Sequence, residues 1–441
     1  MLNKFLDEVC SHIHCKAVHK EIRAELAGHI EELQNEGMTL EESISAMGDC
    51  TEIGIRLDKQ HRPRIEWPLI GLVVLISAIG MAMMFFTPDR VSFLTDFFGR
   101  QLLWSGIGVV FAIAIMFIDY GKIKAWALPL YIAAVLFLIN ARARMDGAVF
   151  LSIGGLTLSS SGAILPFFLA FVGFMDRFRG EGLRGVIKLM FLELISIIMM
   201  LLVLSIPTSL ILLVSYTVLL FAAIWKNHFN IYVRAYKIIL CVGNILIAGF
   251  VIFFVINSPY RLNRLIGFIT HADPAGEGWI NMQLAKLLSL SKWWGGAGTV
   301  DGFPVHNLLP NLHTDFALAN VIVTFGWIAG ITLILAIVAL IVRFFMVIRK
   351  IKDNFGFYLA LASCVVLTIQ FIISVLMNLG LFPVTGVGLP FVSYGGTAYI
   401  SNMMLVGIVL SVWRRNNIMA REDERTPKMC SWVFSRGKPA R

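Results

Sequence analysis

Residues 317–342 read ALANVIVTFGWIAGITLILAIVALIV, 26 residues without one charged side chain. An α-helix rises 1.5 Å per residue, so about 20 apolar residues cross the roughly 30 Å hydrocarbon core of a bilayer. Nine other stretches repeat the pattern, at approximately 67–87, 101–118, 125–140, 161–176, 186–204, 207–225, 238–256, 355–377 and 397–413. Only 15% of the 441 residues are charged, where a soluble domain carries about 25%. These observations exclude a soluble enzyme, a disordered chain and a disulfide-stapled secreted domain. They predict an all-α polytopic membrane protein of about ten transmembrane helices over residues 67–413.

Charge placement orients it. With the N-terminus in the cytosol, the inner loops hold 13 Lys and Arg, the N-terminal 66 residues hold eight and the tail after 413 holds eight. The outer segments hold eight, among them Arg90, Arg100, Lys286 and Lys292. This is the asymmetry of the positive-inside rule, so both termini are expected in the cytosol of a multi-pass protein of the bacterial cytoplasmic membrane. The net charge of +9 is thereby spent on topology, and no nucleic-acid partner is expected. None of the six cysteines falls in an outer segment, so no structural disulfide is expected. Acidic residues precede the first apolar run, and no signal peptide is read at the N-terminus.

Residues 1–66 carry a helical rhythm instead of a spanning one. Val18, Ile22, Leu26 and Leu33 fall near one face, Gly37 ends that helix, and Thr39 with Glu42 reads as a capping box opening the next. The expectation is a small helical cytosolic module. Cys10, His12, His14, Cys15 and His19 imitate a zinc knuckle, but a second Cys pair is missing and an amphipathic helix explains them better. Residues 414–441 read as a basic cytosolic tail.

The outer loop 257–316 is far longer than ordinary connections, a length that usually accompanies function. Residues 279–293 could form an amphipathic helix, and Trp279, Trp293 and Trp294 suit a membrane interface. Gly295, Gly296 and Gly298 lack the context of a nucleotide-binding loop. The loop ends in LPNLHTDF, residues 309–316. A carboxylate at a membrane mouth is costly unless it faces water, a partner or a substrate, so Asp315 is either functional or the cap of the following helix. A second motif, TGVGLPFVSYGGT at 385–397, combines Gly386, Gly388, Gly395 and Gly396 with Pro390. Irregular backbone at membrane depth survives only where it is buried or lines a cavity, so a re-entrant loop is expected.

Together these two motifs resemble those of the SEDS family of shape, elongation, division and sporulation proteins, which includes RodA and FtsW. The family pattern is Leu-Pro-x-x-His-Thr-Asp-Phe followed by Thr-Gly-x-x-Leu-Pro-Phe-Val-Ser-Tyr-Gly-Gly-Ser. Arg261 and Arg264 with Asp273, Pro274 and Gly276 resemble the start of the family's long loop, and Arg100, Gln101 and Trp104 the beginning of its second span. The likeness covers about residues 70–413 and is strongest after 260. It implies a peptidoglycan glycosyltransferase that polymerises lipid II outside the membrane, with a class B penicillin-binding protein as partner. It implies Asp315 as the catalytic base, and substrate contacts from His313, Thr314, Arg261, Arg264, Gln101, Ser393, Tyr394, Gly395 and Gly396. No protein metal site is expected; a divalent cation, or an Arg or Lys, could neutralise the pyrophosphate. The chain departs from the family between 146 and 163, where an Arg-Trp pair, a Glu and a Lys are absent, and at Pro207–Leu210, where an Asp is absent. Those losses keep a non-catalytic scaffold and a lipid II binder or flippase as alternatives, with mid-span Glu193 as a candidate for a transport pathway.

Overall fold

The computed structural model describes residues 1–14, 19–61, 65–86, 94–143, 150–153, 156–203, 205–229, 234–257, 262, 266–268, 278–296, 299–300, 303–304 and 309–416. The chain divides into two compact units. One comprises residues 1–66 with Ile351–Gly356 and the chain from Val412; the other comprises Trp67–Lys350 with Phe357–Ser411.

The first unit is helical: α1 (Leu2–Ser11), α2 (His19–Asn35), α3 (Leu40–Met47) and α4 (Cys50–His61). Phe5, Leu6, Val9, Ile22, Leu26, Ile30, Met47 and Ile53 close a core of their own. The Thr39 hydroxyl accepts from the Glu42 amide, and the Glu42 carboxylate accepts from the Thr39 amide at 2.9 Å, so the capping box forms as read. The Thr39 amide and the Thr39 hydroxyl (2.8 Å) both donate to the Glu42 carboxylate and hold its carboxyl below the usual range. Cys10 is buried and its thiol points to the His19 carbonyl, while Cys15 lies outside the described residues. Among the described residues no three His, Cys, Asp or Glu side chains gather as a metal site.

The second unit contains α5 (Trp67–Phe86), α6 (Leu94–Phe117), α7 (Ile123–Ala143), α8 (Ile164–Arg177), α9 (Leu183–Leu202), α10 (Ile206–Trp225), α11 (Arg234–Ile256), α12 (Trp279–Leu290), α13 (Ala317–Phe325) and α14 (Trp327–Ile348). α15 (Asn354–Asn378) and α16 (Gly396–Arg415) complete the chain order. Eight of the described helices are long and apolar enough to cross a membrane; α8, with 14 residues, is shorter. Helices approach closely where side chains are small. A Cβ at Gly173 of α8 would stand 2.6 Å from that of Ala127 on α7, and one at Gly407 of α16 would stand 2.7 Å from the Ala112 carbonyl oxygen of α6.

Two features were not legible. Strands β1 (Phe150–Ile153) and β2 (Leu156–Ser159) pair antiparallel, Phe150 opposite Ser159, within the stretch that departs from the family. The Gly154-Gly155 pair between two short apolar runs is the signal that could have found this hairpin. The expected span 317–342 is two helices, not one. It breaks at Gly326, whose φ is +98°, in the left-handed region open to glycine. The cause lies in a distant segment. Gly295 donates its amide to the Phe325 carbonyl (3.1 Å), while Trp327 and Ile328 donate to the Lys292 and Trp293 carbonyls (3.0 and 3.2 Å). This strap, Lys292–Gly295, takes up the backbone groups that a continuous helix would have paired. α14 alone has 22 residues, enough to span, so α13 is left as a short helix, buried from Ala317 to Val323.

Candidate functional site

α13 is short and buried because it carries the end of the long loop into the protein. Leu309, Leu312 and Phe316 are the apolar pins of the LPNLHTDF turn; they pack with Leu284 and Leu287 of α12, Ala319 and Val323 of α13, and Met377. Between the pins the chain reverses on Asn311, whose φ is +57°, a conformation that Asn tolerates better than most residues. The Asn311 carbonyl accepts from the amides of Thr314 and Asp315, both at 3.1 Å, and from the Thr314 hydroxyl at 3.1 Å. With the pins facing the core, Thr314 and Asp315 are left on a cavity of about 850 Å³.

Asp315 does not cap α13. The cap position is Phe316, which offers no side-chain hydrogen bond. The polar partner comes from α15. Buried Asn378 accepts from the Ala319 amide through Oδ1 (2.9 Å) and donates through Nδ2 to the carbonyls of Asp315 (3.0 Å) and Ser374 (2.8 Å).

The second motif forms the facing wall. Gly380 and Gly386 have φ +72° and Phe391 φ +67°, so the backbone turns repeatedly between α15 and α16. A Cβ at Gly386 would lie 3.9 Å from Asp315 Oδ2, which puts bare backbone opposite the carboxylate. The Ser393 hydroxyl accepts from the Leu389 amide (2.6 Å) and closes the turn. Tyr394 donates its amide to the His313 carbonyl (2.8 Å), and the two rings meet edge to face with centroids 6.0 Å apart, so the motifs are fastened to each other. The Gly395 amide donates to Gln101 Oε1 of α6 at 3.4 Å.

Thr314, Asp315, Ser393, Tyr394, Gly395 and Gly396 therefore line one cavity. His313 and Gln101 do not; they stand behind the wall and hold it by hydrogen bonds and ring contact. The reason is geometric: neighbours in an extended or turning chain point different ways, so a motif mixes lining and support. Arg261 and Arg264 lie outside the described residues. Arg100, Trp104 and Asn311 also line the cavity, although none of them is among the site residues expected from the sequence, and neither is Asn378. Asn378 was detectable as the amide that ends an apolar run, one residue past the expected boundary.

The remaining wall is Ile164 and Leu165 at the start of α8, with Ser205, Pro207, Thr208 and Ile211 at the start of α10. Among the described lining residues the charged side chains are Arg100 and Asp315. One carboxylate among hydroxyls and amides is not a donor set that holds a resident divalent cation. The starts of α8, α10 and α16 all border the cavity, and neither α8 nor α10 has a side-chain cap bond there.

The chain matches the cell cycle protein family of FtsW, RodA and SpoVE over residues 65–418. It is 27% identical over 362 residues to a probable peptidoglycan glycosyltransferase FtsW of Trichlorobacter lovleyi, covering 78% of this chain and 92% of the relative. It is also 27% identical to stage V sporulation protein E of Bacillus subtilis, covering 78% and 93%. Among solved structures, a chain from a peptidoglycan synthase complex superposes with a TM-score of 0.65 at 22% identity, covering 80% of this chain and 98% of that one. Thermus thermophilus RodA superposes with a TM-score of 0.56 at 22% identity, covering 79% and 97%.

Proposed function

The chain belongs to the FtsW, RodA and SpoVE family of cell cycle proteins, and we propose that it is a multi-pass membrane peptidoglycan glycosyltransferase whose catalytic base is Asp315. The observation that carries this reading is the position of Asp315, the one carboxylate among the described lining residues, on a cavity of about 850 Å³ where both family motifs meet.

The substrate is lipid II, and the reaction needs little from the protein beyond a base and a binding field. A sugar hydroxyl is a poor nucleophile. Asp315 takes its proton as the oxygen attacks the anomeric carbon of a second, lipid-linked sugar. One carbon–oxygen bond forms and the bond to undecaprenyl pyrophosphate breaks, its electron pair leaving with the pyrophosphate. A single displacement inverts the anomeric carbon. Pyrophosphate is a good leaving group, so no strong general acid is required. Arg100 is the described cation on the cavity and is placed to meet the phosphates. A divalent ion, where one takes part, would arrive with the phosphates, since one carboxylate does not hold it. The orientation proposed has the active site at the outer face of the cytoplasmic membrane and both termini in the cytosol, with a class B penicillin-binding protein as the partner that cross-links the strands.

The test is polymerisation of lipid II by the purified chain with its partner. Asp315→Asn is expected to lose at least about 10²-fold in rate, the share commonly supplied by a positioned base. A folded Asp315→Asn protein at the wild-type rate would remove Asp315 from the reaction. A wild-type protein that binds lipid II but makes no polymer, beside an active RodA control, would favour the non-catalytic relative.

A further inference from the structure

A helix start leaves four amides without intrahelical partners. At the start of α13 this problem sits directly beside the proposed base. The local sequence does not solve it: the cap residue is Phe316, and the preceding position is Asp315 itself, whose side chain is at the cavity. The solution comes from 63 residues downstream. The Asn378 side-chain oxygen accepts from Ala319, the third residue of α13, which is the bond a local cap would make. The Asn378 nitrogen uses both hydrogens, one on its own helix at Ser374 and one on the backbone carbonyl of Asp315. Rotating the amide by half a turn would set an N–H against an N–H and an oxygen against two carbonyls, so the network fixes its orientation.

Asn378 also ends α15, and the re-entrant loop begins at the next residue. Eight residues later that loop presents Gly386 to the Asp315 carboxylate. One buried amide thus ties the backbone of Asp315 to the root of the wall it faces. Asn378 is absent from the cavity lining, so it touches no substrate there.

We propose that Asn378 is the positioning residue of this site: it caps α13 from another helix and sets the distance and direction of the Asp315 carboxylate relative to the Gly386 turn. This rests on Asp315 being the base. The requirement is for a short side chain with one acceptor and two donors on one plane. Asp supplies the acceptor without the donors, and Gln supplies all three from one methylene further away. Both substitutions shift or release the Asp315 backbone while leaving the cavity lining intact.

The experiment compares wild type, Asp315→Asn, Asn378→Gln and Asn378→Asp as full chains with the partner. It measures lipid II polymerisation at varied lipid II, lipid II binding and thermal unfolding. Misplacement of a catalytic group by about 1 Å can cost on the order of 10²-fold. Asn378→Gln is expected to lose about 10- to 100-fold in kcat, with KM and lipid II binding within about threefold of wild type. Asn378→Asp, lacking the donor to Asp315, is expected to lose at least as much. A folded Asn378→Gln protein with wild-type kcat overturns the inference, as does a loss confined to KM. Collapse of both variants to protein that no longer binds lipid II overturns it too, in favour of a purely structural role. An inactive wild type, or a fully active Asp315→Asn, instead brings down the reading of Asp315 on which the inference rests.

Discussion

Gly71 and Gly80 lie on the same helix, α5, and offer a controlled test of how tightly the re-entrant loop is held. A Cβ at Gly71 would meet nothing within 4 Å. A Cβ at Gly80 would stand 2.7 Å from Val392 Cα, 2.9 Å from the Val392 oxygen and 3.1 Å from the Phe391 oxygen. The closest contact is roughly 1 Å inside the carbon–carbon optimum. The obstacle is backbone, and it has little room to retreat. Phe391 is buried at positive φ, with its ring beside Phe371 and Tyr399 at centroid distances of 6.1 and 6.2 Å. Glycine to alanine in a helix gains up to about 1 kcal/mol of propensity, but that gain is shared by both sites and cancels in the comparison. What remains is overpacking, worth about 1–3 kcal/mol. Thermal unfolding of the two purified variants in the same detergent should therefore place Gly80→Ala several degrees below Gly71→Ala. Because Ser393 and Tyr394 follow the displaced turn, Gly80→Ala should also slow lipid II polymerisation while Gly71→Ala does not. Equal melting temperatures and equal rates would refute the claim that α5 buttresses the loop.

Gly326→Ala should be costlier, since it adds a side chain at φ +98° and sets it 2.6 Å from the Trp293 carbonyl oxygen; the expected loss is about 2 kcal/mol or more, read as a lower melting temperature and faster protease cleavage in the outer loop. His228 supplies a pH signature. Its ring is buried after α10 with Nε2 at 3.1 Å from the Met175 carbonyl, and burial lowers its pKa below the ordinary 6.5. The unfolded chain then binds the proton more readily, so stability is complete above about pH 6.5 and declines as pH falls through that value towards the lower folded pKa. Melting curves between about pH 7.5 and 5 should show the decline in wild type and a smaller one in His228→Gln.

What the sequence disclosed followed from local physics. Spans announce themselves because every residue of a lipid-facing helix obeys one constraint, and the capping box at Thr39 and Glu42 formed because its partners lie three residues apart. The motif pair identified the cavity because glycine and proline in an apolar segment demand irregular backbone. The break at Gly326 stayed hidden because one glycine within an apolar run is compatible with helix. Its determinant is a strap some 30 residues upstream with no distinctive composition. The family resemblance implies His313 and Gln101 as substrate contacts; in the structure the His313 backbone carbonyl and the Gln101 side chain serve the neighbouring turn. Asn378 shows in the sequence only as the amide that ends an apolar run: two of its three bonds leave the local segment, and only the assembled helices bring Asp315 and Ala319 to it.

The charges absent from the front half of the chain bear on binding more than on the chemical step. The wall that departs from the family holds hydroxyls of Ser205 and Thr208 among aliphatic side chains, and with Arg100 and Asp315 the described lining is formally neutral. A pyrophosphate needs more than one guanidinium. The backbone adds to it: α10 and α16 start at the cavity, and helix starts carry partial positive charge. This field is fixed by the fold and owes nothing to Asp315, whose negative charge opposes an anionic ligand. Removing that charge should therefore leave lipid II binding intact or strengthen it while the rate collapses. Retained binding with lost turnover in Asp315→Asn is the pattern of a base working inside an anion site built from helix starts. Binding lost together with turnover would instead mean that the carboxylate anchors substrate, through a cation or a hydroxyl, and that the two roles had been misassigned.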